Sequence, residues 1–350
     1  MTGHRLARRS LLLAAGGLAC LRADAAGSTD RVLDAALQPY VPEPAQPGAE
    51  AGWMTPDGAI RIGGAEHVEF IVRRFNALYA RTHPGTRFVF ESRGTTSAVP
   101  LLMFDKTLFG AMGREINPVE RVPYRKIVGT DPLEIRVAHT SDDTSQHLAT
   151  SLAVYVHRSN PLTGISLEQM ARVFAVGNAG GDYSHWGQLG LGGEWAGRTI
   201  HPYGTPEYTG FGNYLQARQL QRLPLNPRHE FHGGTGELLR RLGSDPAGIA
   251  VAAIGREDAQ VKQLALIGPD GAATTGTAAE VASGRYGLGR PLFFYVRQQK
   301  GRPIDPVVRE YLRLVLSREG QQIVASQPRG YLPLSEADAA RERAKLESTA

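Results

Sequence analysis

Apolar positions divide the chain into three stretches with different periods. From Leu11 to Leu21 they form one short run, preceded by Arg5, Arg8 and Arg9 and followed by the small residues Ala23-Asp24-Ala25. Between Gly27 and Asp57 they show no period, and Pro42, Pro44 and Pro47 break up what reads as a leader laid over the surface. From Ala59 onward strand and helix patterns alternate. Ile60-Arg61-Ile62 reads as a strand and Gly63-Gly64-Ala65 as a tight turn, and Val68, Phe70, Ile71, Val72, Phe75, Leu78 and Tyr79 recur at helical spacing up to Ala80. His83-Pro84-Gly85 ends that helix, Arg87 to Glu91 alternates as a strand, and Arg93-Gly94-Thr95-Thr96-Ser97 leads into a helix from Ala98 to Phe104. Further on, Leu152 to Val156 predicts a buried strand of the parallel kind, and Ser166-Leu167-Glu168-Gln169 a helix start with a hydroxyl cap.

Strands and helices alternating at these lengths predict an α/β protein with helices on both faces of parallel sheets, and 350 residues are enough for two such lobes. Sheets of this kind bind ligands beyond the carboxyl ends of their strands. Four turns rich in glycine and hydroxyl groups suit that place: Gly63 to Ala65, Arg93 to Ser97, Tyr208 to Gly212 and His232 to Gly236. Each presents backbone N–H groups at a helix start, and donors without acceptors select an anion. Taken singly, each is also an ordinary cap; it is their number that points to a shared site.

Composition narrows the picture. The apolar run after the arginines is a signal peptide over residues 1–25, shorter than the roughly 20 residues needed to cross a bilayer. Arg8-Arg9 suits either a general secretory or a twin-arginine route, and export places the mature chain in the periplasm or outside the cell. Without this segment's four arginines and one aspartate the net charge falls from +5 to +2, and no basic stripe remains to bind nucleic acid. Cys20 is the only cysteine; Gly17, three residues before it, is not the leucine of a lipid-attachment signal, so it reads as an apolar signal residue.

The later segments carry a resemblance. Leu152 to Phe174 with its Asn160-Pro161 turn, Trp186 to Leu191, Asp245 to Ala250, Tyr286 to Leu292, Tyr311 to Gln321 and Gly330 to Leu334 resemble the periplasmic phosphate-binding receptors of ABC importers, within the type II periplasmic binding protein superfamily. The likeness runs from Ala59 to Leu334. It implies two Rossmann-like lobes joined by a hinge, with strands crossing near Leu148 to Tyr155 and Gly248 to Ala253. The first lobe is then expected over 59–147 and 254–340, the second over 148–253, and a leader or linker over 26–58. The resemblance maps ligand groups onto Gly64, Ala65 and Glu66, onto Thr95, Thr96 and Ser97, near Gly113 and Arg114, and onto Thr209, Gly210 and Phe211. The last triplet departs from the family's Ser-Gly-Thr, and Thr205 stands where its arginine is expected, with Glu207 close by. Arg93 or Arg114 is then the expected source of positive charge, and Phe211 either joins the core or faces the ligand.

The expected partners are a small oxyanion, phosphate or a phosphate-bearing solute, and an importer permease, with the receptor acting as a monomer and using no cofactor. His229-Glu230-Phe231-His232 is the densest histidine cluster, but it lacks metal-ligand spacing and reads as a solvated pair rather than a metal site. No Gly-x-Ser-x-Gly elbow occurs, and Ser97 has no evident base, so the chain is not expected to be an enzyme. Two other classes stay open: a secreted phosphatase, and a non-transport sensor or interaction protein on the same scaffold.

Overall fold

The first strand and helix form where the pattern places them, and the two lobes are built out from there. The computed structural model describes residues 33–140, 149–207, 209–326 and 330–347; residues 1–25, expected to be a signal peptide, with Cys20, and Leu148 and Tyr208 lie outside the described residues. The first part of the chain runs β1 (Ile60–Gly64), α1 (Glu69–Thr82), β2 (Phe88–Ser92), α2 (Thr95–Met103), β3 (Gly110–Met112), α3 (Pro118–Val128) and β4 (Leu133–His139). The middle runs β5 (Leu152–His157), β6 (Gly164–Ser166), α4 (Leu167–Phe174), β7 (His201–Gly204), α5 (Gly210–Tyr214), β8 (Glu230–Phe231), α6 (Thr235–Leu242), β9 (Gly248–Ala253), β10 (Val261–Gln263), β11 (Ala265–Ile267), β12 (Ala273–Thr274) and α7 (Ala278–Ala282). Strand β13 (Pro291–Val296) and helices α8 (Pro306–Val315), α9 (Arg318–Ala325) and α10 (Glu336–Glu347) complete it.

One sheet has the order β2-β1-β3-β13-β4 and a second the order β10-β5-β9-β7-β8, with β12-β11-β6 as a small third sheet. Both large sheets are mixed rather than parallel. In the first, β1 runs parallel to β2 and β3, whereas β13 is antiparallel to β3 and β4. In the second, β5 is buried as expected but runs antiparallel to both β9 and β10. The reason is simple: a strand covered on both faces is apolar at every position whatever its direction, so a continuous apolar run does not report orientation.

Two large apolar cores support these sheets. Around the first, Ile62, Ile71, Phe75, Phe294 and Tyr311 pack together, and Leu37 and Trp53 are buried among them. The segment before β1 is therefore anchored in the core and not merely laid over it. The second core joins β5 and β9 to Trp186, Leu215 and Leu238, and it also takes in Val261, Leu266, Val281, Tyr286 and Leu288. This corrects two expectations. Residues 254–288 pack with the second sheet, and Gly248–Ala253 lies between β5 and β7 instead of crossing back. The crossing strands are the chain on either side of residues 141–148 and the segment Tyr286–Arg290. Thr140 N–H donates to Arg290 O at 2.7 Å and Leu152 N–H to Leu288 O at 3.1 Å, while Tyr286 Oη donates to Leu152 O at 2.8 Å.

Local signals hold well. Ser166 Oγ accepts from Gln169 N–H at 3.1 Å, the hydroxyl cap the sequence predicts, and Gln169 Oε1 accepts from Ser166 N–H at 3.0 Å in return. The stretch Tyr311 to Gln321 is not one continuous helix: it is split at Ser317, whose hydroxyl caps α9 by accepting from Gly320 N–H at 3.2 Å.

Candidate functional site

The first-lobe half of the site follows from strand order. Because β2, β1 and β3 are adjacent and parallel, the loops that leave them emerge side by side at one edge of the sheet. These loops hold Gly64 to Glu66, Arg93 to Ser97, and Gly113 to Arg114. Gly63 and Gly64 are the last residues of β1 rather than a turn, and Gly64 has φ +147° with β3 pressed against it. A Cβ there would lie 2.5 Å from Ala111 O, so only glycine lets the two strands approach this closely.

Each predicted first-lobe donor has a specific state. Ala65 is buried and its N–H is already used, donating to Ala111 O at 3.1 Å. Glu66 is exposed, and its Oε1 lies 3.7 Å from where a Cβ of Gly94 would be, which puts a negative charge near the start of α2. Thr95 and Thr96 occupy the first turn of α2, where helix geometry leaves N–H groups without intrahelical acceptors. Ser97 turns inward: both its N–H and its hydroxyl donate to Gly94 O, at 3.1 and 2.8 Å. Gly113 is buried against His67, whose ring a Cβ at that position would meet at 2.6 Å. His67 Nδ1 pairs with Tyr331 Oη at 2.7 Å, and burial together with the nearby Arg290 charge pushes its pKa down to about 4.

Neither arginine expected to supply positive charge is free to do so. Arg93 is exposed and faces Glu91 at 3.4 Å. Arg114 is buried and forks onto Glu120, with bonds of 2.6 and 2.7 Å, while also donating to Glu115 O at 2.9 Å. Glu120 is in turn the third residue of α3, where it exchanges hydrogen bonds with Asn117, so Arg114 ties the loop after β3 to that helix.

The second-lobe half is more committed to its own structure. Thr209 caps α5, accepting from Gly212 N–H at 3.0 Å and donating to Pro206 O at 2.7 Å, so its hydroxyl is occupied. Gly210 meets the first lobe: a Cβ there would lie 3.8 Å from Arg290 Nη2 and 4.0 Å from Arg114 Cδ. Phe211 is half-buried and does two things at once, packing on the second core and placing its ring centre 5.0 Å from the Arg290 guanidinium. Glu207 is exposed and accepts from Gln216 Nε2 at 3.0 Å, without filling the gap between the lobes. The fourth turn is held within its own lobe, with His232 N–H on Gly204 O, the His232 ring against Glu230 and Glu237, and Thr235 Oγ1 accepting from Ala253 N–H.

Two residues absent from the sequence expectation organise the meeting point. Arg290, a single cation between Gly289 and Pro291 in an otherwise apolar run, donates to Gly113 O on one side and to Thr150 O, at 3.2 Å, on the other. Its position inside the segment Tyr286 to Leu292 was the available signal, but glycine and hydroxyl patterns drew the expectation elsewhere. Arg218 follows α5 in a π-helical turn, Leu215–Gln219, and reaches Glu115 of the first lobe at 2.9 Å. Glu115 and Arg218 border a cavity of about 390 Å³ between the lobes, lined also by Arg121, Asp131, Glu134 and Arg222. Among the described residues no cluster of three or more histidine, cysteine or acidic side chains is placed to hold a metal, and no helix is long and apolar enough to cross a membrane.

Comparison with known proteins places this arrangement. The profile of the PBP superfamily domain matches residues 49–319. The phosphate-binding protein PstS of Pseudomonas aeruginosa is 28% identical over 321 residues, covering 91% of this chain and 94% of its own. PstS of Staphylococcus haemolyticus is 20% identical over 268 residues, with 75% and 78% covered. Among solved structures, an ABC-type phosphate transport receptor from Vibrio cholerae is 17% identical with a TM-score of 0.53, covering 78% of this chain and 99% of its own. PstS from Borrelia burgdorferi is 16% identical with a TM-score of 0.53, covering 79% and 99%. These structures share the two-sheet α/β fold, and with the profile spanning well over half of its length, the chain belongs to the PBP superfamily.

Proposed function

We propose that the chain is an exported solute-binding receptor that captures phosphate or a related oxyanion between its two lobes, releases it unchanged, and delivers it to an ABC importer permease. The observation that carries this reading is the apposition at Gly210. There a second-lobe helix start faces two buried arginines, Arg114 and Arg290, that border the loops leaving β1, β2 and β3. Backbone donors and the buried charge of Arg290 converge on one crevice. That combination suits reversible capture. The names of the Pseudomonas and Staphylococcus relatives, both phosphate-binding proteins, point to the same ligand class.

The working mechanism is closure about the crossing segments at 149–152 and 286–290. The anion first meets the α2 start and the loops of the first lobe. The second lobe then swings in to complete the cage, with Glu115 and Arg218 clasping across the mouth. The closed, monomeric form is what a permease would recognise, on the periplasmic side to which residues 1–25 direct the chain. Isothermal calorimetry of the dialysed protein with phosphate, sulfate and a small phosphate ester tests the reading, since saturable heat is expected with at least one of them. Absence of heat with all three sinks the oxyanion assignment. Turnover of a chromogenic phosphate ester would instead move the protein to the phosphatase class.

A further inference from the structure

Among the described residues, the buried charges at the lobe junction pair off with one exception. Arg114 is matched by Glu120, and Glu115 is matched by Arg218. Arg290, with 3% of its surface exposed, has no carboxylate in ion-pairing distance among the described residues; its Nη atoms reach only the carbonyl oxygens of Gly113 and Thr150. Its Nε–H is buried with no acceptor at all. The rings of Phe211 and Tyr214, centred 5.0 and 5.3 Å from the guanidinium, shield it from water and lower the local dielectric. A buried cation without a counter-ion is strongly disfavoured, and burial accordingly pulls the Arg290 pKa below its usual value.

Building on the oxyanion reading, we propose that Arg290 is the ligand-binding cation of the interlobe site and that a bound oxyanion is its missing counter-ion. The guanidinium fork offers planar donors that suit phosphate or sulfate oxygens. Room exists beside it, because Gly210 carries no side chain and a Cβ there would meet nothing closer than Arg290 Nη2 at 3.8 Å. The ligand is thus held by a charge at the hinge, which bonds to Gly113 O and Thr150 O and faces the Phe211 ring, so anion binding and lobe closure are coupled through this side chain.

The test uses the purified full chain, calorimetry with inorganic phosphate and with sulfate, and thermal melting without ligand. Arg290→Gln is expected to weaken binding by about 100-fold or more, and Arg290→Lys, which keeps the charge but loses the fork, by about tenfold. Gly210→Asp sets a carboxylate beside the guanidinium. It is expected to abolish binding while raising the melting temperature of the ligand-free protein. A folded Arg290→Gln that binds within about threefold of the wild type overturns the assignment and leaves the receptor reading standing. Should Arg290→Gln not fold, Gly210→Asp decides, since unchanged binding by that variant also overturns it. Wild-type protein that binds neither anion nor a small phosphate ester overturns the receptor reading and the assignment together.

Discussion

The two halves of the crevice bring opposite chemistry to it. The first lobe and the hinge supply charge and donors: Arg290 and the start of α2. The second lobe supplies shape and low polarity, with the Thr209 hydroxyl spent on its own cap and the Phe211 ring set against Arg290. In a symmetric site either half would hold the anion about equally. Here the first lobe and hinge are expected to bind, and the second lobe to seal.

Acid gives the largest expected effect and tests how differently the lobes are built. Three histidines are buried and neutral, their pKa values pushed down by burial to about 4 from an ordinary 6.5. His67 and His139 belong to the first lobe and His229 to the second. Unfolding lets each take up a proton that the native state refuses. Stability is therefore unaffected above pH 6.5 and is lost as pH falls toward 4, by at most about 3 kcal/mol per histidine. The first lobe carries twice the penalty and should yield first. Trp53 reports on that lobe and Trp186 and Trp195 on the other, so fluorescence of a Trp53→Phe variant should change at lower pH than the Trp53 signal isolated by replacing the other two. Coincident midpoints would mean that the lobes unfold as one unit.

The second test separates the two buried arginines. Arg114 sits in a fork with Glu120 that braces α3, so Arg114→Gln should cost about 3 kcal/mol of stability and lower the melting temperature. Its effect on phosphate affinity should be smaller than that of Arg290→Gln. If Arg114→Gln instead keeps its stability and loses affinity, the roles assigned to the two arginines are reversed.

Much of this architecture could be read along the chain, for physical reasons that also mark where the reading stops. The strand and helix beginning at Ile60 were legible because short-range periodicity encodes them, though Gly63 and Gly64 end the strand rather than turning, and so was the cap at Ser166. Direction was not: Leu152 to Val156 is apolar throughout because both faces are covered, and that holds for either orientation. The return crossing was misplaced at Gly248 because any buried strand in a late position fits that role. Only packing shows that Val261, Leu266 and Tyr286 still belong to the second core. Glycine and hydroxyl patterns located the first-lobe loops, but they could not tell that Ser97 and Thr209 spend their hydroxyls on backbone carbonyls. Arg290 escaped notice because what sets it apart is that it has no carboxylate partner among the described residues, and pairing is a property of space rather than of spacing.

The sealing role of the second lobe is sharpened by Phe211. Replacing this ring with leucine keeps much of the contact with the second core, where Phe211 is only half-buried, but removes the π-face beside Arg290. Phe211→Leu should weaken phosphate binding by roughly threefold to tenfold with little change in melting temperature, as a cation–π contact out of water warrants. Equal losses of stability and affinity would make the ring a core residue only.

The smallest effect is expected at the clasp. Glu115 is buried, but Arg218 is half exposed, so their 2.9 Å bond is screened on one side and contributes less than its geometry suggests. Removing the charge by Glu115→Gln leaves the first-lobe donors intact, and the anion can still reach Arg290. What changes is the grip across the mouth: dissociation should quicken by about twofold to fivefold while association stays nearly constant. Stopped-flow measurement of phosphate binding and release separates the two rates. A fall in association with unchanged dissociation would show that Glu115 shapes the open receptor, and would place the asymmetry between the lobes in the encounter with ligand rather than in the closed state.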